Sequence, residues 1–173
     1  MALITPAYTR EQELLHEAPA YGSRGFNWGY LVAGIARIEA CVSVLDYGCG
    51  KGTLGRTLRK AGLHARDYDP AVAAFSGCPR PADLVVSVDV LEHLEPDCVD
   101  AVLDDLRDKT LKVLFVAIST RPAKRWLTDG RNSHLIVEEG DWWRTKLEYH
   151  GFNVRRVWLT GIAEWVALLE VRP

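Results

Sequence analysis

The chain has 173 residues, a formal net charge of −2 and 48% hydrophobic residues, enough for one domain around one good core. The small net charge argues against strong nonspecific nucleic-acid binding, and no run of 18 or more apolar residues offers a membrane span. The four cysteines, at 41, 49, 78 and 98, lack Cys-x-x-Cys spacing. That speaks against a structural zinc site or a disulfide framework and predicts a cytoplasmic protein.

Residues 1–30 read as an N-terminal strap or lid, and residues 31–173 as a single domain. A polar helix is predicted over 8–18, ended by Pro19. The segment Tyr21 to Tyr30 interleaves glycines with aromatics. Such a segment serves either as a mobile lid over a ligand or as a strap packing aromatics on the core. A helix over 31–40 then leads into a short apolar run, Cys41-Val42-Ser43-Val44-Leu45.

The next residues are the most informative in the chain. Asp46-Tyr47-Gly48-Cys49-Gly50-Lys51-Gly52 follows the apolar run, and Leu54, Leu58 and Ala61 then recur at helical spacing. This is strand, glycine turn, helix. In an open α/β sheet such a turn lies at the carboxyl end of a strand, where ligands bind. A phosphate loop would need Gly-Lys-Ser/Thr, but Gly52 follows Gly50-Lys51. The dinucleotide fingerprint Gly-x-Gly-x-x-Gly is left incomplete by Thr53. About twenty residues on, His64 to Asp69 reads as a second strand ending in an acid before Pro70, at the distance where a carboxylate holds ribose hydroxyls. Leu84 to Val88 reads as a buried parallel strand, followed by Asp89-Val90-Leu91-Glu92-His93-Leu94.

Asp-x-Gly-x-Gly, the later acid and the Asp89 loop, in this order, resemble the motifs of class I S-adenosylmethionine (SAM)-dependent methyltransferases acting on small molecules. The resemblance implies SAM as cofactor. It assigns Asp46, Tyr47, Gly48, Cys49 and Gly50 to the methionine end, Asp69 and Pro70 to the ribose, and Asp89, Val90 and Leu91 to the cofactor border facing the acceptor. One departure stands out. Only fourteen residues separate Asp69 from Leu84, and they include Pro79 and Pro81. The family's third strand is therefore expected to be lost or vestigial.

Pro96 opens a predicted helix with a Val99, Val102, Leu103 and Leu106 stripe, and residues 112–119 form the next buried strand. A polar loop containing Arg121, Asn132 and His134 follows. Asp141 is read as the cap of a helix reaching His150, with Gly151 beyond it. Trp143, Leu147 and His150 share its core face, while Trp142 lies off that stripe. Val154–Leu159 and Glu164–Val171 are both strand-like and too close in sequence for a parallel crossover, so they pair antiparallel. The predicted fold is doubly wound α/β, a mostly parallel sheet with an antiparallel C-terminal hairpin and a shortened third-strand region. That hairpin disfavours a nicotinamide-dependent oxidoreductase, the second cofactor reading. A non-catalytic SAM-fold partner protein is the third.

The expected reaction is methyl transfer to an oxygen or nitrogen of a small acceptor such as a metabolite, a sugar or a nucleotide. His134 is the candidate base, and Asp89 is grouped with it. Tyr30, Ser119, Asn132, His134 and Trp142 are the acceptor-side candidates. No spacing of acids and histidines points to a metal. Residues 1–108 hold 10 basic and 16 acidic residues, and residues 109–173 hold 11 and 7. The second balance is compatible with an anionic acceptor and equally with a mixed solvated surface.

Overall fold

A computed structural model describes residues 2–158, 160 and 163–172. Helix α1 spans Pro6–Glu17, with Thr5 as its cap accepting from the Tyr8 amide. After a 3₁₀ turn comes α2, Gly29–Ile38. Strand β1 is Ser43–Tyr47, α3 is Thr53–Lys60 and β2 is His64–Tyr68. Strand β3, Ala82–Val88, precedes α4, Val99–Lys109, and β4, Thr110–Ser119. Helix α5 is Gly140–Tyr149, and the chain closes with β5, Phe152–Trp158, and β6, Glu164–Val171.

The six strands form one sheet in the order β2-β1-β3-β4-β6-β5. β1, β2, β3 and β4 are parallel, while β6 runs antiparallel to both β4 and β5. Leu159, Gly161 and Ile162, at the expected hairpin turn, lie outside the described residues. Residues 69–81 contain only a short 3₁₀ turn at Ala73–Phe75, so β1 and β3 are followed on the far side by β2 alone. The proline-broken stretch cannot supply a ladder of amide donors.

Strand β3 is buried along its whole length, as a central parallel strand covered on both faces should be. Alternate side chains of the sheet feed two cores. Leu45, Val85, Leu114 and Val116 pack with the Val99, Val102, Leu103 and Leu106 stripe of α4 and with Trp143 and Leu147 of α5. Val44, Leu84, Val86 and Phe115 pack with Val32 and Ala36 of α2 and with Leu54 and Leu58 of α3. Each of these fully buried large side chains contributes about 1.5–3 kcal/mol of transfer free energy.

Two local expectations change. Glu139, not Asp141, occupies the cap position of α5, and Asp141 lies in its first turn. Strand β1 begins two residues later than the apolar run and continues through Asp46 and Tyr47. Asp46 thereby becomes a strand residue with its side chain almost wholly enclosed.

Candidate active site

The glycine turn after β1 is held from below by its neighbour strand. The Gly48 and Cys49 amides both donate to the Tyr68 carbonyl, at 2.8 and 3.0 Å, and the Gly50 amide donates to Asp69 Oδ2 at 2.9 Å. Asp69 Oδ1 accepts from the Ala71 amide at 2.9 Å. Gly48 and Gly50 have φ of +80° and +52°, in the left-handed region. A Cβ on Gly48 would lie 2.4 Å from Val90 Cγ2, and one on Gly50 would lie 2.7 Å from the Gly22 carbonyl oxygen. Both positions therefore need glycine for close packing as well as for backbone conformation.

Above the turn lies a cavity of about 800 Å3, within the range of ligand pockets. Asp46, Gly48, Cys49, Gly50, Asp69 and Pro70 border one end. Asp89, Ser119, His93, His134 and Glu164 border the other. Asp46 is 2% exposed, and among the described residues its Oδ2 has no hydrogen-bond partner. Burial, then the neighbouring Asp67, push its carboxyl up to about 8. Asp89 follows β3 with φ of +53°, an uncommon conformation for a residue with a side chain, and its amide donates to the Ala117 carbonyl at 2.9 Å. Burial raises its carboxyl, with Arg24 and His134 opposing.

The N-terminal segment closes the roof. The Tyr8 hydroxyl donates to the His93 carbonyl at 2.5 Å and accepts from Gln12 Nε2 at 2.6 Å, while the Tyr21 hydroxyl donates to Gln12 Oε1 at 3.0 Å. The Lys51 amide donates to the Gly22 carbonyl at 2.9 Å, and Lys51 Nζ reaches the Ala18 carbonyl at 2.8 Å. This segment is thus bonded directly to the glycine turn. Glu11 adds a carboxylate to the Thr128 amide and hydroxyl, joining α1 to the loop after β4.

Some predicted contacts lie elsewhere. Tyr30 is 93% exposed and does not border the cavity, because it sits on the solvent side of α2. Trp142 packs against the core and edge-on to Trp143 at 4.9 Å, away from the cavity. Asn132 spends its polar atoms on the loop: Oδ1 accepts from the Ala123 and His134 amides, and Nδ2 donates to the Ala123 carbonyl. It orients the backbone around His134 and does not border the cavity. Leu91 is fully buried in the core. Tyr47 borders the cavity, but its hydroxyl is committed to Asp105 at 2.8 Å.

Sequence reasoning passed over Gln12, His16, Arg24 and Glu164, which also border the cavity. Only the glycine-aromatic character of residues 21–30 signalled this roof. The structure also gathers three residues that sequence spacing did not connect. Glu92, His93 and His134 bring metal-capable atoms within 4.8 Å of one another. The two imidazoles meet edge to face at 4.7 Å between centroids.

A family profile described as "Methyltransferase domain" matches residues 11–160. The chain belongs to the methyltransferase family. Similar solved structures agree on the fold of this methyltransferase. The DhpI–SAH complex has a TM-score of 0.64 at 19% identity, covering 95% of this chain and 97% of that one. Burkholderia thailandensis 1,6-didemethyltoxoflavin-N1-methyltransferase, with its acceptor and S-adenosylhomocysteine bound, has 0.70 at 14%, covering 100% and 93%. Magnesium protoporphyrin IX methyltransferase (ChlM) from Synechocystis PCC 6803, with bound SAH, has 0.63 at 16%, covering 97% and 95%. The curated proteins give no sequence match. The family and the antiparallel β6 between β4 and β5 set aside the nicotinamide oxidoreductase reading for this methyltransferase.

Proposed function

We propose that this protein transfers a methyl group from SAM to an oxygen or nitrogen atom of a small acceptor. The observation that carries the reading is the orphaned, buried Asp46 oxygen beside the glycine turn, at one end of a cavity whose other end is polar. A cationic amino group is the partner that such an oxygen lacks. Asp69 has both oxygens engaged by one amide each, which leaves lone pairs for ribose hydroxyls. The residues present therefore fit the cofactor. When bound, SAM supplies an electrophilic methyl on a sulfonium.

The protein's own part is to bind, align and exclude water. Asp46, the glycine turn, Asp69 and Pro70 hold one reactant. Asp89, Ser119 and His134 face the other. An acceptor lone pair would have to reach the methyl carbon there, and a proton on the acceptor heteroatom would have to leave. His134 Nδ1 lies 2.7 Å from the Arg121 carbonyl, which can only accept, so Nδ1 carries hydrogen and Nε2 has the lone pair to take that proton.

The N-terminal segment is the lid of this site, since Tyr8 is bonded to the His93 carbonyl and Gly22 to the Lys51 amide, and these bonds must part for a nucleoside to enter. Arg24, Arg121, Lys124 and Arg125 border the cavity and favour an anionic acceptor. Among the described residues no helix is long and apolar enough to cross a membrane, and the four free cysteines suit a cytoplasmic setting. Calorimetric titration with S-adenosylhomocysteine tests the reading. Micromolar binding, weakened about 10- to 100-fold in Asp46→Asn, is expected; absence of binding by the folded wild-type chain would overturn it.

A further inference from the structure

We propose that Glu92, His93 and His134 form a binding site for a divalent first-row transition-metal ion that activates a hydroxyl acceptor. The inference rests on the methyl-transfer reading and deepens it, because it names the acceptor chemistry and gives His134 a ligand's role when the ion is present.

The three side chains come from two separate loops, the one after β3 and the one after β4, and their donor atoms lie within 4.8 Å of one another. Each keeps one donor atom free while another holds it in place. The His93 ring is fixed by Nδ1 at 2.7 Å from the Ser133 carbonyl, and the His134 ring by Nδ1 at 2.7 Å from the Arg121 carbonyl. Carbonyls accept only, so both Nδ1 atoms carry hydrogen and both Nε2 atoms present a lone pair. Glu92 Oε1 accepts from the Ser119 amide at 3.0 Å, and the Ile136 amide bonds the Glu92 carbonyl at 3.0 Å. Among the described residues Glu92 Oε2 has no hydrogen-bond partner, although Glu92 is 0% exposed.

A carboxyl oxygen left without a partner in the interior is costly. A nearby cation is the group that would satisfy it and both imidazole lone pairs at once. An imidazole that donates its second N–H to a carbonyl is the usual outer shell of a metal-ligating histidine. Two imidazoles and one carboxylate suit first-row divalent ions and leave coordination positions open. Ligand bonds of about 2.0–2.2 Å would require the three groups to draw in by about 1 Å from their present spread.

His93 and His134 border the cavity beside Asp89 and Ser119, so the open positions face the acceptor end. A bound cation lowers the pKa of a coordinated hydroxyl. The hydroxyl proton passes to solvent. The oxygen lone pair forms the new C–O bond, the C–S bond breaks, and its electron pair remains on sulfur as a neutral thioether. The ion is neither oxidised nor reduced.

The test uses the full-length chain, stripped with a chelator and titrated separately with Co²⁺, Zn²⁺ and Mn²⁺. Binding is followed by calorimetry and, for Co²⁺, by visible absorption. One equivalent should bind, and His93→Ala, His134→Ala and Glu92→Gln should each weaken it by about 10- to 100-fold. His150→Ala, just past the C-terminal end of α5 and outside the cavity, should leave it unchanged; the melting temperature of every variant checks folding. Metal-stripped protein should still bind S-adenosylhomocysteine, because Asp46 and Asp69 are separate from the cluster.

Absence of stoichiometric binding, or binding that survives both histidine substitutions, would overturn the metal site. If the sulfur nucleotide binds and the metal does not, the metal site fails and the methyltransferase reading stands. If the metal binds with the expected variant pattern and the sulfur nucleotide does not, the site stands and that reading fails.

Discussion

Replacing Asp46 by asparagine should make folding stability much less sensitive to pH. The carboxyl is enclosed next to Asp67 and Asp69, partly offset by the Gly55 amide and Arg59, and is pushed from 3.8 up to about 8. The sign follows from linkage. A carboxyl with a higher pKa in the folded state holds its proton more tightly there. Its stabilising effect is complete below the unfolded pKa and is lost as pH rises through the folded one. One pKa unit corresponds to roughly 1.4 kcal/mol, so this single group accounts for up to about 3–4 kcal/mol lost between about pH 5 and pH 8. Asparagine keeps the shape and does not titrate. Its amide meets the same partnerless surroundings as Asp46 Oδ2, and that cost does not vary with pH.

Urea denaturation of wild type and Asp46→Asn, free of ligand, across that range is the assay. The wild-type curve should fall relative to the variant as pH rises. Curves that stay parallel would refute the reasoning and mean that Asp46 is already ionised in the free protein. The same substitution should weaken binding of S-adenosylhomocysteine by about 10- to 100-fold, the loss of one charge-assisted hydrogen bond of roughly 1.5–3 kcal/mol.

Asp69→Ala should lower both stability and nucleotide affinity, because Asp69 accepts from the Gly50 and Ala71 amides; urea midpoints should report a loss of about 2–4 kcal/mol, and an unchanged midpoint would count against those two bonds. Gly50→Ala places a Cβ 2.7 Å from the Gly22 carbonyl oxygen on a backbone with positive φ, so residues 18–25 should exchange amide hydrogens faster; unaltered exchange there would show that the lid does not rest on the turn. Tyr8→Phe removes the bond to the His93 carbonyl and should cost about 1–2 kcal/mol and speed proteolysis within residues 1–25. Trp142→Ala should reduce melting temperature without raising the acceptor KM, and Tyr30→Ala should change neither; a raised KM in either would return that side chain to the acceptor site.

The proposed cofactor end of the site can be read from the sequence because it is local. Asp46, the glycine turn and Asp69 follow one another along β1, its turn and β2, and parallel pairing of Asp46 with Asp67 and of Tyr47 with Tyr68 makes their strand ends adjacent. The loss of the third strand was legible for the same reason, since Pro79 and Pro81 limit ladder formation wherever the segment lies. The acceptor end was not. Asn132 and Trp142 were sensible candidates by position, but whether a polar or aromatic side chain faces a cavity depends on what else competes for it. Asn132 is taken by the Ala123 and His134 backbone, and Trp142 by the core.

The sequence by itself determined the order of strands and helices, the glycine turn and the acids that flank it, because hydrophobic period, backbone freedom and strand-end position are properties of neighbouring residues. Tertiary structure alone decided that α1 and the Tyr21–Gly25 segment roof the site, that Asp46 Oδ2 is left without a partner, and that Glu92 and His93 meet His134 from the far side of β4. Those outcomes depend on contacts between distant segments, and on the exclusion of water that only the assembled fold brings about.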